Sequence, residues 1–171
     1  MRARHIAGGI AAFLAAFLCM KPVPAQPPRV GPETRLPLPR YVSLNVDRAN
    51  IRRGPGLSHR IDWEFVLRGA PLQIVAEHGH WRKVRDAEGF GGWVHHSLLR
   101  GNRTALVTAS PEATLRAEPA ADARIVARAE PGAVGQIEAC QLIWCRFNAQ
   151  GHEGWIQKAD IWGVGQDEVF D

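Results

Sequence analysis

Two cysteines, Cys140 and Cys145, lie five positions apart and have the best-defined chemistry in the sequence. A close pair of cysteines in an exported protein normally forms a disulfide, because thiols are oxidised outside the cytoplasm. Two thiols are too few for a structural metal site, and neither has a residue marked out as its base for nucleophilic catalysis. We therefore predict a disulfide, which in so short a loop contributes about 2 kcal/mol of stability.

Four histidines form the second group with potential chemistry: His78 and His80 flank one glycine, and His95 and His96 are adjacent. Imidazole is a common zinc ligand. Adjacent side chains of a strand point to opposite faces, however, so His95 and His96 are not expected to share a metal ion. We predict solvated loop histidines, no metal and no cofactor, with zinc binding as the alternative.

The usual motifs of enzymatic catalysis do not occur in the sequence. None of its four serines lies in a Gly-x-Ser-x-Gly elbow, and no glycine-rich loop leads into a predicted helix that would bind phosphate. The carboxylates Asp86 and Glu88 fall in a turn, where solvated acidic residues are expected. We predict no catalytic residue and a protein that is not an enzyme. A hydrolase with an unrecognised site is the weaker alternative.

A module of about 60 residues occurs twice in the chain. Ala-Asn-Ile-Arg at 49–52 returns as Ala-Thr-Leu-Arg at 113–116, which is 64 residues later. Further landmarks keep nearly the same offset: Gly69 with Gly132, Ile74 with Ile137, Trp81 with Trp144, Trp93 with Trp155 and Leu99 with Ile161. We call residues 41–101 copy one and residues 104–163 copy two. Units this small favour binding or scaffolding, because they have little room for a buried catalytic apparatus.

Alignment of the two copies places Cys140 and Cys145 at the positions of Glu77 and Arg82. Copy one therefore has opposite charges where copy two has two thiols. This exchange predicts that the two positions face each other across a hairpin, and it strengthens the disulfide prediction.

Aromatic residues divide into a matched and an unmatched set. The matched tryptophans are predicted to pack in the cores and comprise Trp81, Trp93, Trp144 and Trp155. Trp63, Phe65 and Phe90 of copy one align instead with Ala127, Ala129 and His152. These unmatched aromatic residues are the better candidates for ligand contact.

Basic residues accompany the unmatched aromatics. Arg52, Arg53 and His59 flank a Gly-Pro-Gly loop just before Trp63, and Phe90 lies in a later turn. Aromatic rings offer stacking surfaces, and guanidinium groups make forked hydrogen bonds to carboxylates. We predict that these five residues bind an acidic peptide or the carboxylates of cell-wall stem peptides. In the alternative, Trp63 fills the seam between the two copies.

Residues 1–25 have the organisation of a signal peptide. Arg2 and Arg4 precede an apolar run that ends at Met20, and small residues lead to Ala25. The run is too short to be a good membrane span. We predict cleavage after Ala25, a periplasmic location and no transmembrane segment after cleavage, with an uncleaved N-terminal anchor as the alternative.

Two segments outside the copies are distinguished by their composition. Residues 26–40 contain five prolines with arginines between them, which predicts an extended, polyproline-like linker. Recognition of the segment 35–40 by a proline-binding groove is the alternative. Residues 164–171 are predicted to form an acidic tail that lacks fixed structure.

The charge of the chain gives no support for nucleic-acid binding. Its net charge of +4 falls to +1 when residues 1–25 are removed. Residues 41–103 carry 10 basic and 6 acidic side chains, whereas residues 104–171 carry 5 basic and 10 acidic side chains. Copy one is thus the copy suited to an anionic surface.

Short runs of alternating apolar and polar residues, separated by glycine and proline turns, extend from Tyr41 onward. No apolar stripe with a 3.6-residue period persists for three turns, so we expect few helices. The sequence predicts an all-β protein of two small five-stranded barrels in tandem.

Four segments of copy one resemble the bacterial SH3-like (SH3b) domain. They are Asn-Ile-Arg-Arg-Gly-Pro-Gly at 50–56, Gly-Ala-Pro-Leu at 69–72, Trp-Arg-Lys-Val at 81–84 and Glu-Gly-Phe-Gly-Gly-Trp-Val at 88–94. The resemblance covers residues 41 to 163 and is closest to exported tandem forms of largely unassigned function. It implies barrels of the SH3 type in the periplasm that recognise cell-wall peptides or peptide segments of envelope proteins.

The resemblance therefore favours a non-catalytic binding protein of the cell envelope. Such modules often accompany hydrolase domains, and we expect none beside these two copies. The main competing hypothesis is a scaffold whose two barrels form a rigid pair without a small ligand.

Overall fold

The computed structural model describes residues 29–171 and shows an almost purely β-stranded chain. The predicted signal peptide, residues 1–25, lies outside the described residues, as do residues 26–28 of the proline-rich segment. Between residues 29 and 171, no helix has the length and apolar composition needed to cross a membrane.

The strands follow one another in the same order in both copies. The N-terminal arm contains β1 (Arg29–Val30) and β2 (Pro37–Leu38). Copy one contains β3 (Arg40–Leu44), β4 (Ala49–Arg52), β5 (Ile61–Phe65), β6 (Pro71–His78), β7 (Trp81–Arg85), β8 (Gly91–His95) and β9 (Leu99–Arg100). Copy two contains β10 (Thr104–Val107), β11 (Ala113–Arg116), β12 (Ile125–Ala129), β13 (Val134–Cys140), β14 (Trp144–Ala149), β15 (His152–Gln157) and β16 (Ile161–Trp162). Short 3-10 helices, His96–Leu98 and Lys158–Asp160, precede β9 and β16.

Each copy forms one antiparallel sheet of seven strands. The strand order is β5-β4-β8-β7-β6-β3-β9 in copy one and β12-β11-β15-β14-β13-β10-β16 in copy two. The all-β tandem prediction is confirmed, but each sheet has two more strands than the five predicted. The additional strands in copy one are the short segments β4 (Ala49–Arg52) and β9 (Leu99–Arg100). Their backbone N–H and C=O groups also need hydrogen-bond partners, so β4 pairs with β5 and β9 pairs with β3.

Each sheet surrounds its own apolar core. The buried cluster of copy one consists of Val42, Leu44, Ala49, Ile51, Leu72, Ile74, Val84 and Val94. The buried cluster of copy two consists of Ala105, Val107, Ala113, Leu115, Ile137, Cys140, Cys145, Phe147, Ile156, Ile161 and Val164. The two clusters share no member, so each copy folds around a separate core.

The turns that precede β6 and β13 both contain a glycine with a left-handed backbone conformation. Gly69 has φ +80° and Gly132 has φ +88°, in the left-handed region where a side chain is disfavoured. The Gly69 amide donates to the Leu44 carbonyl at 2.8 Å, and the Gly132 amide donates to the Val107 carbonyl at 2.9 Å. Matching glycines therefore close matching turns.

The N-terminal arm is a folded hairpin. β1 pairs antiparallel with β2, and the turn between them rests on the Glu77 carboxylate of β6. The Thr34 hydroxyl donates to this carboxylate at 2.7 Å, and the Thr34 and Glu33 amides donate at 3.0 and 3.1 Å. The prediction of an extended linker is wrong for residues 29–40, because a buried carboxylate offers these groups fixed acceptors.

The C-terminal tail is folded onto copy two. Phe170 and Cys140 exchange two backbone hydrogen bonds of 2.7 and 3.0 Å, and Phe170 packs against the apolar core. The Glu168 carboxylate pairs with the Arg103 guanidinium, and the Lys158 ammonium donates to the Glu168 carbonyl at 2.6 Å. The prediction of an unstructured tail is wrong because one apolar ring and two ion-assisted contacts hold the tail in place.

An aromatic contact joins the two copies. The rings of Tyr41 and Trp162 are T-shaped with centroids 5.2 Å apart, and the Arg103 guanidinium lies 5.8 Å from the Tyr41 centroid. Burial at this junction raises the pKa of the Tyr41 phenol. Tyr41 and Trp162 therefore contact each other across the seam between the copies.

Candidate functional site

Trp63 and Phe90 form an exposed aromatic pair, which we call the aromatic face. Their ring centroids are 5.4 Å apart with an interplanar angle of 55°. Trp63 remains 47% exposed and Phe90 54% exposed. The two predicted aromatic residues thus come together at the surface, and the alternative in which Trp63 fills the seam is wrong.

Two elements position the aromatic face. Trp63 lies on β5, the edge strand, directly opposite the buried Ile51 of β4, so its side chain starts on the core-facing side of the sheet. Phe90 ends the turn between β7 and β8. Its amide donates to the Asp86 carboxylate at 2.7 Å, and its carbonyl accepts from the Asp86 amide at 2.8 Å. The turn therefore presents the ring of Phe90 in a fixed direction.

Arg52 holds the Gly-Pro-Gly loop through its side chain. Its guanidinium donates to the carbonyls of Leu57 and His59 at 2.9 and 2.7 Å. These contacts close the Gly-Pro-Gly loop, and the ring of His59 packs so tightly over Gly54 that a Cβ there would lie 2.5 Å from it. Arg52 and His59 thus shape the loop beside the aromatic face.

Arg53 is the predicted basic residue that keeps an exposed guanidinium. Both Arg53 and Arg60 pair with Asp62, at 3.1 and 2.7 Å, while about two thirds of each arginine side chain stays exposed. Hydrogen bonds from Arg53 and Arg60 lower the pKa of the Asp62 carboxyl. One carboxylate thus accompanies two guanidinium groups, and the loop carries a net positive charge beside the aromatic face.

Copy two has an open cleft where copy one has the aromatic face. Ala127, Ala129 and His152 take the places of the aromatic residues, and a cleft of about 500 Å³ opens between β12 and the turn before β15. Phe147 lines this cleft from the core side. The same position in the fold therefore carries the aromatic face in copy one and a cleft in copy two.

Of the four matched tryptophans, Trp144 is buried as predicted, but the other three are not core residues, which corrects the prediction made for them. Trp144 is 8% exposed, whereas Trp81, Trp93 and Trp155 are half-buried and lie outside both apolar clusters. In β8, Val94 is fully buried and faces the core, so its neighbour Trp93 faces outward. Alternation along the strand was the sequence feature that pointed to this arrangement.

The predicted hairpin pairs lie where the alignment placed them. Cys140 and Cys145 are disulfide-bonded, with Cα atoms 4.1 Å apart, and they are direct partners in the β13–β14 pairing. Glu77 and Arg82 are direct partners in the β6–β7 pairing, with a 3.5 Å contact between Arg82 Nε and Glu77 Oε1. Neither cysteine has a free thiol for catalysis.

Glu77 is the centre of the most enclosed polar network in copy one. Its side chain is completely buried and accepts from Arg40 at 2.7 Å as well as from the arm. Burial alone would raise the pKa of the Glu77 carboxyl, but hydrogen bonds from Thr34, Arg40 and Glu33 lower the pKa to about 2. Glu77 is therefore ionised throughout the physiological pH range.

His80, His95 and His96 lie together, which corrects the prediction that they are separate. Their centroids are 4.8 to 5.9 Å apart. His95 is the last residue of β8 and His96 begins a 3-10 helix, so the strand alternation that would separate their rings ends between them. Partial burial and the nearby charges of His95 and Arg82 lower the pKa of His96.

The strand order, the separate cores and the loop-borne side chains define a tandem pair of small SH3-like β domains. The family model described as "Bacterial SH3 domain" matches residues 45–101 and 109–163. The chain belongs to this bacterial SH3 domain family, which confirms the resemblance found in the sequence.

A curated relative comes from Bacillus subtilis (strain 168). It is named "Putative N-acetylmuramoyl-L-alanine amidase YrvJ" and is 23% identical over 138 residues, covering 75% of this chain and 26% of the relative. The chain thus spans about a quarter of that relative's length.

Two solved structures match part of this chain. NlpC2 from Trichomonas vaginalis matches with a TM-score of 0.35 and 15% identity, over 74% of this chain and 48% of that one. An NlpC/P60 family protein from Bacillus cereus matches with a TM-score of 0.32 and 18% identity, over 71% of this chain and 55% of that one.

Proposed function

We propose that the protein is a non-catalytic periplasmic binding protein that recognises the stem peptide of peptidoglycan through copy one. The observation that carries this proposal is the aromatic face, Trp63 and Phe90, exposed beside a basic loop. Exposed aromatic pairs are uncommon on surfaces without a partner, since burying them against a ligand is favourable.

The charges next to the aromatic face match the proposed ligand. Stem peptides carry free carboxylates, and the exposed guanidinium groups of Arg53 and Arg60 can donate forked hydrogen bonds to them. Asp62 balances only one of the two positive charges. Arg52 adds a further positive charge that no carboxylate balances, so a carboxylate ligand would reduce the net positive charge of the loop.

The curated relative supports a ligand in the cell wall. It is named "Putative N-acetylmuramoyl-L-alanine amidase YrvJ". This chain matches about a quarter of that protein's length, and the bacterial SH3 domain model covers residues 45–101 and 109–163 of this chain. A wall-binding role for the shared part is consistent with both facts.

The non-catalytic part of the proposal rests on the described side chains. Both cysteines in residues 29–171 are in the disulfide. The aromatic face contains no nucleophile. Asp62 and Glu64, which flank Trp63 in the sequence, are paired with arginines, and Asp86 accepts from the Phe90 amide. Binding without chemistry is the function that this set of groups supports.

Cosedimentation with purified sacculi at low salt tests the proposal. We expect the wild-type protein to pellet with sacculi and the Trp63→Ala/Phe90→Ala variant to stay mostly in the supernatant. The control variant is Leu142→Ala/Ile143→Ala, which removes an even more exposed apolar pair from copy two. It is expected to pellet like the wild type.

Absence of wild-type binding would contradict the cell-wall ligand and would favour a peptide of an envelope protein or the scaffold hypothesis. The scaffold hypothesis has its own support in the Tyr41–Trp162 contact, which joins the copies. Equal binding by the aromatic-face variant would show that the wall ligand is recognised elsewhere.

A further inference from the structure

We propose that His80, His95 and His96 form a binding site for a divalent transition-metal ion of the Zn²⁺ or Cu²⁺ type. We call these three residues the histidine cluster. It lies at the end of copy one where β7 begins and β8 ends, on side chains other than those of the aromatic face. The inference is therefore independent of the proposed function.

The backbone holds the three histidines in a fixed arrangement. The His96 amide donates to the His80 carbonyl at 2.9 Å, which ties the 3-10 helix to the turn before β7. His95 is the direct cross-strand partner of Trp81, and the two rings are T-shaped with centroids 5.6 Å apart. The backbones of His80 and His96 are thus hydrogen-bonded to each other, and His95 is held by its pairing with Trp81, the neighbour of His80.

The distances between the rings suit a metal ion. One ligand nitrogen from each ring lies within 4.8 Å of the others. Zn–N bonds of about 2.0 Å in tetrahedral geometry place ligand nitrogens about 3.3 Å apart. His80 and His96 are exposed, so small side-chain rotations can close the remaining distance.

A serine orients one of the three rings. Nδ1 of His95 lies 2.8 Å from the Ser97 hydroxyl oxygen. The Ser97 amide also lies 3.4 Å from Nδ1, so Ser97 contacts this nitrogen through both its hydroxyl and its backbone. In the tautomer in which Nδ1–H donates to the hydroxyl oxygen, Nε2 is the ring nitrogen available to a metal, and such a second hydrogen bond is typical of metal-ligating histidines. Ser97 is therefore a positioning residue for the site.

The charged groups around the cluster permit a bound cation. Arg82 is the nearby arginine, but its side chain is only 9% exposed and donates to the carbonyls of Gly79 and Trp81 while it contacts Glu77. The Glu33 carboxylate accepts from the Gly79 amide at 2.8 Å and brings a negative charge to the turn that carries His80. Imidazole ligands select borderline metals such as Zn²⁺ and Cu²⁺ rather than Mg²⁺ or Ca²⁺.

Copy two provides an internal comparison with the same backbone and different side chains. Ile143, Gln157 and Lys158 stand at the positions of the three histidines, and the Lys158 amide donates to the Ile143 carbonyl at 2.9 Å. The Lys158 ammonium turns instead to the C-terminal tail. The conserved geometry thus carries metal ligands in copy one and a tail anchor in copy two.

Calorimetric titration of the full chain, prepared without a histidine tag, with ZnCl₂ tests the site. We expect one Zn²⁺ per chain for the wild type and no stoichiometric binding for the variant His80→Ala/His95→Ala/His96→Ala. Ser97→Ala is expected to weaken binding about tenfold, since it removes the group that orients His95. His78→Ala and His152→Ala are the matched controls and should bind like the wild type.

Quenching of tryptophan fluorescence by Cu²⁺ gives a second readout. Trp81 lies against His95, so bound Cu²⁺ should quench an emission component that is missing in Trp81→Phe. The single variant His80→Ala, in an exposed turn, tests the site even where the triple variant does not fold. Unchanged Zn²⁺ binding in His80→Ala and the triple variant, or no binding of either ion to the wild type, would overturn the proposal.

Discussion

Copy one and copy two stabilise the same hairpin by different chemistry. In copy one, the buried Glu77–Arg82 contact joins β6 to β7, and in copy two the Cys140–Cys145 disulfide joins β13 to β14. Each hairpin also receives one end of the described chain. The N-terminal arm rests on Glu77, and Phe170 of the tail pairs with Cys140. The link between the two strands of this hairpin thus depends on an ionised carboxylate in copy one and on oxidised thiols in copy two.

The second difference between the copies concerns their surfaces. The aromatic face of copy one corresponds to a cleft of about 500 Å³ in copy two, and copy one also carries the excess of basic side chains. Two core positions also differ between the copies: Leu72 and Val84 of copy one correspond to Gly135 and Phe147 of copy two. A Cβ on Gly135 would collide with the ring of Phe147. The two copies therefore share a backbone plan, but the additional aromatic rings lie at the surface in copy one, whereas copy two has the ring of Phe147 in its core.

The largest expected effect comes from Glu77→Ala, which leaves Arg40 and Arg82 without their buried carboxylate. Loss of one partner of a buried ion pair costs about 3 kcal/mol. Amide hydrogen exchange should show faster exchange in β6 and β7 and unchanged exchange in β13 and β14.

The control for this substitution is Glu138→Ala in copy two. Glu138 contacts Arg146 at 3.5 Å, but both side chains are more than two fifths exposed, so the expected loss is under about 1 kcal/mol. Equal losses for the two substitutions would mean that Glu77 does not hold the arm and the hairpin together.

The same carboxylate predicts how the two copies differ in acid. The pKa of Glu77 falls from 4.5 to about 2 on folding, so its contribution to stability is complete above pH 4.5 and is lost as the pH decreases toward 2. Exchange measured between pH 5 and pH 2.5 should therefore show copy one destabilised before copy two. In Glu77→Gln this difference between the copies should become smaller.

The next effect is that of reducing the disulfide. Cys140→Ser/Cys145→Ser should destabilise copy two by about 2 kcal/mol, because the unfolded chain gains loop entropy. The variant should also loosen the tail, since Phe170 pairs with Cys140. Differential scanning calorimetry with and without reductant measures this. A reductant-dependent shift that persists in the double variant would contradict the assignment.

The smallest expected difference between the copies concerns Gly69→Ala and Gly132→Ala. Both glycines have φ near +80° to +90° with open space where a Cβ would lie, so only backbone strain of about 1 kcal/mol is added. The two substitutions should therefore have equal effects on the stability of their own copies. A clear inequality in chemical denaturation would show that the two turns are not equivalent.

The sequence was sufficient for the features that depend on comparing the copies. The pairing of Glu77 with Arg82 followed from their replacement by Cys140 and Cys145, since only facing positions allow both solutions. The all-β class followed from alternation and from the turn residues. The arm was not predictable, because its fold depends on the acceptor oxygens of Glu77, which is 37 residues away from Arg40.

Two errors about the candidate sites have physical causes that the sequence partly contained. The presence of matching tryptophans in copy two predicts core positions for Trp81 and Trp93. The buried Val84 and Val94, however, occupy the inward-facing positions of β7 and β8. Alternation along a strand predicts that the side chains of His95 and His96 point to opposite faces, but this rule applies only inside a strand. The start of the 3-10 helix at His96 decided the outcome, and no local pattern marks that boundary.

The central claim is that copy one carries the ligand-binding face and copy two does not. The six tryptophans each give one indole N–H resonance in a proton–nitrogen NMR spectrum. On addition of a soluble muropeptide, we expect the Trp63 resonance to shift while those of Trp144 and Trp155 stay in place, with Trp63→Phe used for assignment. Shifts confined to Trp144 and Trp155, or no shift at saturating muropeptide, would contradict the claim.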